Sequence, residues 1–137
     1  MVGNYKLSIQ VLVATMDQTD NFSLPKKMNL INYVVINQST NSKVRPIDLR
    51  YSMQKFISVD DKGLSKSRNT AIKNATSDIL VFADDDMKYT TNYENTIRQA
   101  YKKLPDADII AFGITDEDSN KDPKKIPRGK VNFLTSM

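Results

Sequence analysis

The spacing of apolar residues changes along this chain, and the changes mark an alternation of strands and helices. Residues 7-LSIQVLVAT-15 first alternate and then run apolar, the pattern of a strand at the centre of a sheet. A second strand is expected at 33-YVVINQ-38, rich in β-branched residues, and a shorter, weaker one at 54-QKFISV-59. Two more follow at 79-ILVFA-83 and 107-ADIIAFGI-114. Between them the period lengthens. After Gly63, residues Leu64, Ala71, Ile72 and Ala75 fall on one helical face, with Ser65 or Ser67 placed to cap it. Next, 91-TNYE-94 has the form of a capping box, with Thr91 as N-cap and Glu94 reaching back. Tyr93, Ile97, Ala100, Tyr101 and Leu104 make one stripe behind it, and Pro105 ends that helix. The polar stretch 16-MDQTDNFSLPKKMN-29 has room for a short helix after Pro25, and 39-STNSKVRPID-48 is loop by composition.

Strands alternating with helices predict an α/β fold, a mostly parallel, Rossmann-like sheet flanked by helices on both faces. A length of 137 residues suits one domain, expected over 1–137, with its core in about 7–115 and a loop over 116–137. Ligands of such sheets bind beyond the carboxyl ends of the strands.

Composition narrows the chemistry. The chain has no cysteine and no histidine, which excludes thiol nucleophiles, Cys-type zinc sites and the Ser-His-Asp triad. Carboxylates, hydroxyls, amides and basic side chains remain, and any metal should be a hard, oxygen-loving cation such as Mg2+ or Mn2+. The net charge of +4 is too mild for a nucleic-acid stripe, although a basic face suits peripheral association with an anionic membrane. The densest basic run, 121-KDPKKIPRGK-130, reads as solvated loop, and the sequons at Asn21, Asn37 and Asn74 as chance matches. No apolar run approaches the roughly 18–20 residues that span a bilayer. With no signal-peptide layout at the start, the expected location is cytoplasmic, at the inner face of a membrane.

Against this background 79-ILVFADDDMKY-89 stands out, because an apolar strand runs into Asp84, Asp85 and Asp86. Adjacent like charges repel, so either the tip is a solvated turn or a cation belongs there. Side chains two apart on an extended segment point the same way, which would turn Asp84 and Asp86 to one site. The segment 63-GLSKSRNTAIKNA-75 adds Lys66 and Arg68 near a helix start, a place suited to an anion, although a capped surface helix explains the same residues.

Taken together, G-L-S-K-S-R-N and the later apolar strand ending in D-D-D resemble the family 2 glycosyltransferases with the GT-A fold. The family pattern is G-x-S-x-A-R-N and, about ten residues on, a strand ending in D-x-D; Ser67 here replaces the more usual alanine. The opening strand, 9-IQVLVATMDQ-18, also resembles the first strand of that family, so the resemblance spans most of 7–115.

The resemblance implies a nucleotide-sugar donor, a UDP-sugar, and a glycan or lipid-linked acceptor, as in cell-surface polysaccharide biosynthesis. By position, Ala14 and Thr15 would line the base pocket. Asn37 and Gln38 would contact the base where the family is usually acidic, and Arg68 would reach the nucleotide. Asp84, with Asp85, would hold the ribose side, and Asp86 with Asp84 would bind the Mn2+ or Mg2+ that bridges the diphosphate. The family's general base lies well beyond the D-x-D, so this chain is expected to be the donor-binding part of a longer enzyme; Asp116, Glu117 and Asp118 read as a polar loop.

Three rival readings compete for the same residues. A sugar nucleotidyltransferase needs a glycine-rich loop after its first strand, and 14-ATMDQTDNF-22 has no glycine. A phospho-acceptor signalling module needs an acidic pair there, for which only Asp17 and Asp20 are available. The third is an interaction domain with an acidic tip and no ligand.

Overall fold

A computed structural model describes residues 6–40 and 53–115. The basic run 121–130, the acids Asp116, Glu117 and Asp118, and most of the expected loop 39–48 lie outside the described residues. The chain divides into two compact units, Met1–Gln99 and Ala100–Met137.

The first unit holds a four-stranded sheet built from β1 (Ile9–Met16), β2 (Tyr33–Gln38), β3 (Gln54–Val59) and β4 (Ile79–Asp84) in the order β3-β2-β1-β4. Among the described residues all pairings are parallel, in keeping with the mostly parallel sheet expected from the sequence. Helix α1 (Ser23–Met28) joins β1 to β2, and α2 (Leu64–Asn74) joins β3 to β4. A third helix, α3 (Tyr93–Lys103), follows β4 and ends just before Leu104-Pro105.

The order explains the layers. β1 steps to β2 on one side, whereas β3 crosses back over the sheet to β4 on the other side of β1. Right-handed crossovers then place α1 and α2 on opposite faces. On the α2 face, Leu12, Val34, Ile36 and Ala71 form a buried cluster, joined by Ile57, Val59, Ala75 and Leu80. Strand alternation turns Val11, Val13 and Val35 to the other face, and all three are fully buried. Leu24 and Met28 of α1 and Tyr93 and Ile97 of α3 are buried as well.

Buried polar residues pin the ends of this sheet. Gln10 is fully buried in β1; its amide donates to the Met53 carbonyl, and its oxygen accepts from the Thr76 and Ser77 N–H groups. One side chain therefore ties the entries to β3 and β4 to the central strand. Near the same edge, the Asp78 carboxylate accepts from the Ser8 N–H and hydroxyl, and the Asp78 N–H donates to Ser8 Oγ. At the end of α2, Lys55 Nζ donates to the Asn74 carbonyl at 2.7 Å, a cation on the negative end of the helix.

Several local expectations are corrected. Helix α1 begins at Ser23, two residues before Pro25, and a proline is tolerated in a first turn because its missing N–H has no partner there. The Asp20 carboxylate caps this start by accepting from the Phe22 and Ser23 N–H groups and the Ser23 hydroxyl, and those bonds hold its pKa below the ordinary value. Helix α2 has Gly63 as N-cap, and neither Ser65 nor Ser67 caps it, because both lie inside the helix. Its buried face is Ser67 and Ala71, whereas Leu64 and Ile72 are 52% and 44% exposed.

Helix α3 starts at Tyr93, not after Thr91, so the capping box does not form. Glu94 instead accepts from Arg98 at 3.3 Å one turn on, leaving its other oxygen buried without a partner. Residues 107–114, described within the second unit, form no strand, and Ile109 is 89% exposed. An alternating pattern marks a face, but a strand also needs a neighbouring backbone to pair with.

Gly63 carries the turn from β3 into α2 with φ +119°, a region side chains rarely adopt. Nothing lies within 4 Å of a Cβ placed there, so the constraint is conformational rather than steric. Gly63→Ala is therefore expected to cost about 1–3 kcal/mol in urea unfolding. An unchanged midpoint would show that the turn relaxes freely.

Candidate functional site

The order β3-β2-β1-β4 reverses direction at β1, and the crevice for a ligand in such a sheet opens where the order reverses, at the carboxyl ends. The triple aspartate leaves β4 there. Asp84 is the last strand residue, level with Ala14 of β1, which is itself level with Ile36 of β2. Asp85 and Asp86 occupy a turn closed by the Met87 N–H on the Asp84 carbonyl at 3.3 Å.

The strand alternation assumed for Asp84 and Asp86 stops at that turn. Asp84 is approached by Arg68 of α2, Nη2 to Oδ1 at 3.7 Å, and both side chains are well exposed. Asp85 is engaged by β1 instead, because the Thr15 hydroxyl donates to its Oδ2 at 2.9 Å. Asp85 and Asp86 line a cleft of about 290 Å3 together with Gln18, Ser23, Leu24 and Lys27. Arg68 borders another hollow of about 420 Å3, with Ser65, Asn69, Ile72 and Phe82. Two of the three acids thus line the hollow that contains Lys27, and the third, Asp84, pairs with Arg68, which borders the other.

The α1 side is closed behind the acidic turn by aromatic residues. The Tyr89 N–H donates to the Met28 carbonyl, and the Asn29 amide donates to the Tyr89 carbonyl. The rings of Tyr89 and Tyr93 lie 4.7 Å apart, and the Tyr93 hydroxyl accepts from the Ile31 N–H. Burial, with the neighbouring Tyr93, pushes the Tyr89 phenol up to about 12, so it stays neutral across the physiological range. These residues join the end of α1 to the segment after the aspartates.

Asn37 and Gln38, at the end of β2, are 0% and 7% exposed, and their amides are engaged within the protein. Asn37 Oδ1 accepts from the Gln18 N–H, while Nδ2 donates to the Gln18 carbonyl and to Ser58 Oγ. Gln38 Nε2 donates to the Gly63 carbonyl and to Ser67 Oγ. Two departures from the family pattern, the amide at 38 and the serine at 67, are therefore partners in one contact. Burial of Asn37 also leaves its sequon out of reach of a glycan. Ala14 is half-buried between the β2 and β4 ladders.

Gln18 is the functional candidate that sequence reading passed over. Its side-chain amide donates to Thr15 Oγ1 at 2.9 Å, and it lines the acidic cleft. A glutamine in a polar loop carries no local signal of that role.

The family model of glycosyl transferase family 2 matches residues 28–135. The chain belongs to glycosyl transferase family 2. The match takes in Asn37, Gln38, Arg68 and all three aspartates, while Ala14, Thr15 and Gln18 lie before it. Comparisons with curated proteins and with solved structures give no match. Family membership makes this a glycosyltransferase domain that uses a nucleotide-sugar donor, and the parallel sheet with helices on both faces agrees with a Rossmann-like GT-A arrangement. Neither acid near the first strand forms the pair that a phospho-acceptor needs, since Asp20 is spent on the start of α1.

No group of three or more metal-binding side chains is arranged for a cation among the described residues. Mg2+-type ions are commonly held by only one or two protein carboxylates plus phosphates of the substrate, so the hard oxygens of Asp85 and Asp86 in one cleft still fit such an ion. Among the described residues, no helix is long and apolar enough to cross a membrane.

The Arg68–Asp84 pair is exposed and long, so water and salt screen it. Arg68→Ala is expected to change unfolding stability by less than about 1 kcal/mol, with the difference shrinking further in 1 M salt. A large fall in melting temperature before any ligand is added would make Arg68 a structural residue.

Proposed function

We propose that this domain binds the nucleoside diphosphate of a UDP-sugar across the carboxyl ends of β1, β2 and β4, with Mn2+ or Mg2+, and transfers the sugar to a glycan or lipid-linked acceptor. The observation that carries this is the placement of Asp84, Asp85 and Asp86 where the strand order reverses, with Arg68 beside the first of them. In this reading Arg68 meets the nucleotide and Asp84 faces the ribose. Asp86, in the cleft with Asp85 and Lys27, carries the cation next to the diphosphate. Ala14 and Thr15 form the floor between them.

Breaking the sugar–diphosphate bond leaves negative charge on the diphosphate, and a bound divalent ion supplies the Lewis acid that stabilises it. The protein contributes position. Asp86 offers an oxygen ligand on a turn fixed by the sheet, and Arg68 offers a charge that needs only to leave an exposed ion pair. Lys27 brings a second cation to the same cleft as the acids. The excess positive charge supports work at the inner, anionic face of a membrane, where lipid-linked acceptors are presented.

The test is calorimetry of UDP binding with Mn2+ and with EDTA. Tighter binding with metal is expected, and Asp86→Ala should abolish the difference. Asp86→Asn should do nearly as much damage, because the amide keeps the shape and loses the charge. Arg68→Ala should weaken UDP about ten- to a hundredfold, the loss of one charge-assisted hydrogen bond. Equal UDP affinity with and without metal would refute the metal-dependent reading.

A further inference from the structure

A chain of hydrogen bonds runs from the buried end of β2 to the acidic turn, and its direction is fixed. It starts at Asn37, which is 0% exposed and uses its acceptor on the Gln18 N–H and its donors on the Gln18 carbonyl and Ser58 Oγ. Both backbone groups of Gln18 are thus held by one side chain. Gln18, so placed, sends Nε2 to Thr15 Oγ1 at 2.9 Å. A hydroxyl has a single proton. With its oxygen receiving the Gln18 N–H, Thr15 directs that proton to Asp85 Oδ2, also at 2.9 Å. Thr15 is 3% exposed, so water is poorly placed to substitute for either partner.

We propose that Gln18 and Thr15 are positioning residues of the acidic tip. The relay holds the Asp85 carboxylate against β1 and so fixes the turn from Asp84 to Met87 that presents Asp86 to the donor's diphosphate and its cation. Neither residue touches the reacting atoms. The inference rests on the donor-site reading above, and it gives Asn37 a different task from base contact: it anchors the relay. A carboxylate at 37 could accept the Gln18 N–H but could donate to neither the Gln18 carbonyl nor Ser58.

The full chain is titrated with UDP, with Mn2+ and with EDTA, as wild type, Gln18→Leu, Gln18→Glu, Thr15→Val and Thr15→Ser. The quantity of interest is the gain in affinity that Mn2+ gives. Gln18→Leu and Thr15→Val should each reduce this gain about tenfold, the scale of one hydrogen bond to a charged group. Thr15→Ser keeps the hydroxyl and should restore most of it. Gln18→Glu should lose at least as much as Gln18→Leu, because its carboxylate takes the Thr15 proton instead of occupying the Thr15 oxygen. The double variant Gln18→Leu/Thr15→Val should be no worse than Thr15→Val alone, since both cut one relay. In EDTA each variant should lose less UDP affinity than it loses with Mn2+.

A wild-type protein with no Mn2+-dependent gain would overturn the donor-site reading, and the positioning role with it. A clear wild-type gain that survives both Gln18→Leu and Thr15→Val would overturn the positioning role alone. Equal losses with Mn2+ and with EDTA would also overturn it, since they would mean general loosening of the fold.

Discussion

The positions of the candidate groups depend on one strand held from both sides. β1 is hydrogen-bonded to β2 and to β4 in parallel, and most of its residues are buried. A slip of one residue in either ladder would turn its apolar side chains to the wrong face, so the register is strongly fixed. That register brings Ala14 level with Asp84 and Thr15 level with Asn37. It also decides sides. Thr15 and Asn37 share a face and meet Gln18, whereas Gln38, one residue on, turns to α2 and meets Ser67. The sheet distributes polar groups between its two faces in the same way that it distributes valines between two halves of the core.

The three aspartates are tolerable together because they are not treated alike. Asp84 remains exposed and has an arginine within 3.7 Å. Asp85 receives a hydrogen bond from a buried hydroxyl. Asp86 lies in a turn beside an open cleft that also contains Lys27. Each arrangement lowers the repulsion by a different route, namely pairing, hydrogen bonding and solvation. The free protein can therefore carry this charge without a cation.

How much of this was legible in the sequence follows from the range over which each feature is decided. The strands at 33–38 and 54–59 have the bounds read from the sequence, because a β-branched run bounded by polar turns is a local property. The acidic tip was legible for the same reason. The strand expected at 107–114 was not formed, since its existence depends on a partner that alternation cannot supply. Leu64 and Ile72 have helical spacing, yet Ser67 and Ala71 are buried instead, because Gln38 offers Ser67 a partner 29 residues away. The capping box failed on competition: Glu94 had Arg98 within one turn, and the burial of Tyr93 set where the helix begins. Gln18 was invisible for the strongest reason. Its neighbours in sequence say nothing, and its role depends on Asn37, 19 residues on, and on Thr15, whose own partner Asp85 is 70 residues on.

These contrasts give the tip one firm side and one loose side. On the α1 side, Asp85 is joined through Thr15 and Gln18 to a fully buried asparagine, and breaking that path would strand polar atoms away from water. Such losses cost about 1–3 kcal/mol each. On the α2 side, the Arg68–Asp84 pair is exposed, and opening it costs at most about 1 kcal/mol. A ligand that needs both basic and acidic groups can therefore recruit Arg68 and Asp84 by moving side chains that were only weakly committed. The turn carrying Asp86 meanwhile stays where β1 holds it. Geometry is most demanding around a cation and a diphosphate, where small displacements lose coordination, and least demanding where a long guanidinium reaches a nucleotide. In the proposed donor site the firm half of the tip would meet the first requirement and the weakly committed half the second.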